Sequence, residues 1–183
     1  MDLHQLKLLE QQSIKRGIPI LNKEKSIWLL KKIKELRPQK ILELGTANGY
    51  SGIILGSEGA ELTTIEINEK IAEEAKENFV KFAIKAEVIV GDGVEIAKKE
   101  IVKKLRKEKK EYYDLIFIDF SKRDYIKVLE DCIELTKKNG FIIADNVNME
   151  KCKEFKDAIL NHPQLKTEII EIKDGISCSE KIK

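Results

Sequence analysis

The chain has 183 residues, 36% charged and 42% hydrophobic, which fits a single globular domain with a sizeable core. Lys+Arg 34 and Asp+Glu 32 nearly cancel, so net charge gives no mandate for binding nucleic acid or a membrane surface. The cysteines Cys132, Cys152 and Cys178 are odd in number and lack C-x-x-C spacing. That argues against a disulfide framework or a zinc knuckle and for small core residues. No window is apolar enough to span a bilayer, and a reducing cytoplasm is the expected setting.

Leu3, Leu6, Leu8, Leu9 and Ile14 predict an amphipathic helix ending near Gly17. Asn22 is an N-cap for a second helix, and Pro38 follows that helix's end. Residues 1–37 read as a helical cover and 38–183 as the core. From Lys40 onward strands and helices alternate. Strands are expected at Ile41–Leu44, Leu62–Ile67, Ala86–Val90, Asp114–Asp119 and Gly140–Asp145. Helices are expected at Tyr50–Ser57, from the cap Asn68 to Ile84, at Val94–Lys107, Asp124–Thr136 and Glu150–Leu160. Such alternation implies crossovers and a parallel α/β sheet. Two alternating runs, Lys166–Ile172 and Ile176–Lys181, meet at Asp174-Gly175, a hairpin signal that ends the sheet with an antiparallel strand. The basic run Lys98–Lys110 fits an exposed helix face, with a nucleic-acid patch as the alternative.

Glu43-Leu44-Gly45-Thr46-Ala47-Asn48-Gly49-Tyr50-Ser51 places glycines directly after the first strand, where backbone can approach a ligand. The spacing is neither a P-loop nor the dinucleotide G-x-G-x-x-G. An acid before the first glycine suits a cationic group, unless the loop is only a turn. Glu66 ends the second strand where a carboxylate can accept ribose hydroxyls, and Asp92 follows the third near where an adenine edge would be read. Acids at strand ends also cap helices. Taken together, the three describe a nucleoside with a positive head group, which S-adenosylmethionine fits better than NAD or ATP.

The apolar run Leu115–Ile118 stops at Asp119, and Lys122 follows. A charge ending a buried strand needs a partner. Phe141–Ala144 likewise ends at Asp145-Asn146. If the two strands are neighbours, Asp119, Asp145 and Asn146 offer hard oxygens suited to Mg²⁺. Otherwise Asp145-Asn146 is a turn and Lys122 a solvated lysine.

ELG-x-x-x-GYS at Glu43–Ser51, TTIEIN at Thr63–Asn68, IFID-x-x-K-x-x-Y at Ile116–Tyr125 and ADN at Ala144–Asn146 occur in register. Together they resemble the class I S-adenosylmethionine-dependent O-methyltransferases, nearest the metal-dependent catechol and caffeoyl-CoA branch. The resemblance implies a Rossmann-like fold with a seven-stranded, mostly parallel sheet, one antiparallel strand and helices on both faces. It implies that Glu43 holds the methionine amine, Glu66 the ribose and Asp92 the adenine region. Asp119, Asp145 and Asn146 would bind Mg²⁺, with Lys122 as general base. The expected cofactor-binding set is Glu43, Gly45, Gly49, Tyr50, Ser51, Glu66, Ile67, Asp92 and Asp119.

Departures from that family concern the acceptor. Phe120-Ser121 stands where a catechol clamp would be, and the connection after Asn146 is short, without glycine or proline. The expected acceptor is a small molecule with a hydroxyl beside a second oxygen, as in a vicinal diol or hydroxy-carbonyl. The rivals are the 5-hydroxyuridine of a modified tRNA and a non-catalytic S-adenosylmethionine-binding module. An NAD-type oxidoreductase is disfavoured by the glycine spacing and Glu43. Dimers are common in the resembling family, so a homodimer is a further expectation.

Overall fold

A computed structural model of the chain describes residues 3–98 and 112–183. Seven strands form a sheet in the order β3-β2-β1-β4-β5-β7-β6, with helices alternating between strands in the chain. The described residues divide into two compact units, Met1–Gly91 and Asp92–Lys183.

In the first unit, α1 (Lys7–Arg16) stops at Gly17, whose φ of 66° is left-handed. α2 (Lys23–Leu36) starts at Asn22, which accepts the Lys25 backbone N–H at 3.1 Å. It buries Ser26, Leu29, Leu30 and Ile33. β1 (Lys40–Leu44), β2 (Glu61–Glu66) and β3 (Ala86–Val90) pair in parallel, with Glu43 opposite Thr64 and Glu66 opposite Val90. α3 (Tyr50–Leu55) is buried throughout. α4 (Glu69–Lys81) is capped by Asn68 and lays Ala72, Ala75 and Phe79 inward. It ends earlier than the expected Ile84. Ala83 turns at φ 55°, and Ile84 packs where a Cβ on Gly56 would come within 2.5 Å of it. Tertiary packing takes Ile84 out of the helix.

In the second unit, α5 (Gly93–Ile96) starts the expected helix. The rest of that helix, and the basic run from residue 99 onward, lie outside the described residues. β4 (Tyr113–Ile118), α6 (Tyr125–Leu135), β5 (Thr136–Asp145) and α7 (Lys153–Asn161) follow. β5 starts directly at the end of α6, four residues before the expected Gly140. The pairing with β4 jumps between Tyr113–Thr136 and Leu115–Phe141. The irregularity needs glycine: a Cβ on Gly140 would lie 2.8 Å from the Lys137 carbonyl and 3.0 Å from that of Asp114. β7 (Ile176–Lys181) runs antiparallel to both β5 and β6 (Leu165–Ile170), so the hairpin forms and one strand is reversed. Cys132, Cys152 and Cys178 are buried and form no disulfide, as core residues should. No described helix is long and apolar enough to cross a membrane.

Candidate functional site

The glycine loop of the first unit is built on β1 and β2. Backbone N–H groups of Gly45 and Thr46 both donate to the Ile65 carbonyl, at 3.0 and 3.2 Å. Gly45 and Gly49 have φ values of 102° and 89°, which only glycine adopts cheaply. Gly49 also lets the loop sit against α4, since a Cβ there would meet the Phe79 ring at 3.1 Å.

Glu43 lies beneath this loop and is fully buried. Its Oε1 accepts the Ser51 hydroxyl at 2.5 Å and its Oε2 accepts Thr64 at 2.7 Å. Because the Thr64 proton goes to Glu43, Thr46 is the donor in the 2.5 Å contact between the two threonine hydroxyls. The sequence reading has Glu43 meeting a ligand's ammonium directly. With no exposed surface it braces the loop from below, and Ser51 is occupied as its partner. Tyr50 turns away too. Its hydroxyl accepts from Ser26 at 3.5 Å, and it lines a cleft of about 800 Å³ with Leu3, Lys7, Ile27 and Leu30. Burial raises the Tyr50 phenol above its ordinary range.

Glu66 is half-buried at the end of β2. Oε2 accepts the Ala47 N–H and Oε1 the Asn68 N–H, each at 2.9 Å, so the carboxylate fixes the loop while each oxygen keeps a lone pair. Ile67 beside it is 69% exposed, an apolar surface with nothing over it in this unit.

Asp92, exposed, accepts the Val94 and Glu95 N–H groups at 2.9 and 3.1 Å through one oxygen. It is the N-cap of α5, the alternative role for an acid at a strand end.

Farther along the second unit, the register of β4 and β5 decides the carboxylate question. Ile118 pairs with Ala144, so Asp119 and Asp145 leave adjacent parallel strands side by side. Lys122, in the short 3₁₀ turn Lys122–Asp124, donates to Asp119 Oδ1 as an ion pair. Asp145 is 4% exposed, and its Oδ1 accepts the Asn146 N–H at 2.8 Å. Asn146 holds a left-handed φ of 60°, which asparagine tolerates better than most residues.

Sequence reasoning gave Tyr125 no role and read Cys152 as a small core residue, and both sit at this centre. Tyr125 is fully buried, stacked on Phe120 (5.5 Å between centroids) and edge-on to Phe155 (5.3 Å). Its hydroxyl lies close enough to Asp119 to feel that carboxylate as a hydrogen-bonding neighbour. Burial first, then the Asp119 and Asp145 charges, hold its phenol well above the usual range. Cys152 donates its S–H to the Lys122 carbonyl at 3.7 Å. Its thiol is raised by burial and by both carboxylates, against Lys122, which lowers it. The K-x-x-Y spacing put Tyr125 one helical turn after Lys122, and that was the available signal.

Among the described residues no three His, Cys, Asp or Glu side chains form a metal-holding group. The donor set here is two carboxylates plus the Asn146 amide, all hard oxygen. The buried Tyr125 hydroxyl stands within electrostatic reach of both acids. That chemistry fits a hard divalent cation.

The O-methyltransferase family profile matches residues 3–182. Catechol O-methyltransferase B of Danio rerio is 30% identical over 151 residues, 79% of this chain and 56% of that protein. The chain thus spans little more than half the length of that curated relative. A candidate caffeoyl-CoA O-methyltransferase from Staphylococcus aureus superposes with a TM-score of 0.82 at 26% identity, over 98% of this chain and 96% of its own. An O-methyltransferase from Bacillus cereus, solved in complex with SAH, has the same fold: TM-score 0.85, 22% identity, 99% and 92% coverage. A profile match over nearly the whole chain and a relative 30% identical over 79% of it show that the chain belongs to the O-methyltransferase family.

Proposed function

We propose that the chain transfers a methyl group from S-adenosylmethionine to a hydroxyl that has a second oxygen beside it, with Mg²⁺ in the acceptor site. The observation that supports this most is the Ile118–Ala144 pairing, which sets two carboxylates side by side with a lysine on one of them. The catechol relative supports an acceptor with adjacent oxygens.

When bound, S-adenosylmethionine supplies an electrophilic methyl group and the dication supplies charge that favours an ionised acceptor oxygen. The chain's own residues do the rest. Glu66 accepts the ribose hydroxyls through its remaining lone pairs, and exposed Ile67 offers an apolar face to the base. Gly45 and Gly49 allow the close backbone approach, while Glu43, Ser51 and Thr64 keep the loop rigid from beneath. Asp119, Asp145 and the Asn146 amide would hold the cation. Lys122 takes the acceptor's proton, which lysine can do and arginine cannot. Phe120 is stacked on Tyr125 rather than free to clamp a flat ring, and Ser121 is exposed, so the acceptor is not a simple catechol held by an aromatic wall.

Calorimetry tests the donor half: S-adenosylmethionine should bind, and Glu66→Ala should weaken it by about tenfold or more. NAD binding in its place overturns the assignment. For the acceptor half, methyl transfer to a diol-type acceptor should stop with chelator and in Asp145→Ala. Transfer that survives both removes the metal from the reaction.

A further inference from the structure

We propose that Lys122 is the internal counter-ion of Asp119, and that a divalent cation must displace it to enter. The metal and the lysine would then be alternative occupants of one carboxylate. The inference rests on the metal reading above and goes beyond it, because it names the group that an arriving cation has to displace.

Three contacts hold Lys122 where it is. Its ammonium is ion-paired with Asp119 Oδ1, with the two side chains only 20% and 22% exposed. The same ammonium stands 5.3 Å from the centre of the Tyr125 ring, a cation–π distance. Cys152 pins the lysine's backbone through its carbonyl. An ammonium in hydrogen-bond contact with a ligand oxygen cannot stay there once a dication takes that oxygen. Like charges a few ångströms apart and partly desolvated repel, whichever Asp119 oxygen the dication takes. The lysine is therefore pushed off Asp119, and the Tyr125 ring is the seat it keeps.

The test is calorimetric titration of the full chain with Mg²⁺, repeated with Mn²⁺, without donor or acceptor. Removing the competing charge in Lys122→Met or Lys122→Gln should tighten metal binding by about tenfold or more. Lys122→Arg keeps the charge and should bind like the unaltered protein. Unchanged or weaker binding in both neutral variants overturns the proposal. Equal tightening in Lys122→Arg also overturns it, because packing rather than charge would be responsible. Asp119→Asn should lose binding in every background. If the unaltered chain and Asp145→Ala are alike in showing no binding, the metal reading itself fails and this inference falls with it.

Discussion

Ile118 pairs with Ala144 across two parallel strands, and the residue after each is an aspartate. That register sets Asp119 beside Asp145, and the Lys122 ion pair on Asp119 offsets part of their repulsion. In metal-free protein, Asp145→Asn should leave stability unchanged or raise it by up to about 1 kcal/mol, since it removes one of two like charges. The Asn146 N–H keeps an oxygen to bond to. Mg²⁺ affinity should fall by roughly a hundredfold, as for loss of a charged ligand. Urea melts in chelator, paired with calorimetry, measure both. A large loss of stability in chelator would mean that Asp145 is a structural residue.

Glu43 carries the opposite balance. Its carboxylate is buried beneath the loop, and the Ser51 and Thr64 hydroxyls are aimed at it. Glu43→Ala leaves two buried donors without an acceptor and opens a cavity. The expected loss is about 3 kcal/mol, the range for breaking a buried hydrogen-bonded network. Glu43→Gln keeps an oxygen for one hydroxyl and should lose less. Denaturant midpoints of the two variants check the order.

The contrast between these acids shows what the sequence could convey. An apolar run ending in a charge made Leu115–Asp119 legible as a central strand, and Asp174-Gly175 made the hairpin legible, because both are local signals. Glu43 and Glu66 look alike as acids near strand ends. Only the pairing of Glu43 with Thr64, 21 residues away, shows that Glu43 points beneath the loop. Asp92 likewise follows a strand, but two N–H groups of α5 claim it. The early start of β5 depended on Gly140 fitting against the Lys137 and Asp114 carbonyls, a contact that has no local pattern.

Gly175 ties the β6–β7 turn to the loop that follows Asn146. Its φ is 75°, and a Cβ there would lie 2.6 Å from the Asn148 side chain. Asn148 is itself held by Lys156, Glu171 and the Asp174 carbonyl. Gly175→Ala should cost about 2 kcal/mol, from backbone strain plus displacement of Asn148. Gly17→Ala is the control: φ is 66° with nothing within 4 Å, so strain alone should cost about 1 kcal/mol. Equal losses at the two positions would show that the Asn148 contact carries no weight. Metal affinity should fall in Gly175→Ala and not in Gly17→Ala, since only the first loop leads back to Asn146.

Arg16 and Glu74 give a pH dependence with a defined sign. Both guanidinium nitrogens donate to the Glu74 carboxylate at 2.7 Å, joining α1 to α4. The hydrogen bonds from Arg16 hold the Glu74 carboxyl below its ordinary value of 4.5, against a smaller opposing effect of burial. A depressed carboxylate pKa means that the folded form prefers the ionised acid. Its contribution is fully present above the unfolded pKa and is lost as pH falls through the folded one. Arg16→Gln should therefore be less stable than the unaltered chain at neutral pH, and the gap should close as pH drops below about 4. The pair is largely solvent-exposed, so the gap should be small and should shrink with added salt. Urea melts at neutral pH and at pH about 3 read it directly. A gap that persists unchanged in acid would assign the effect to lost arginine packing on α4, and not to the charge of Glu74.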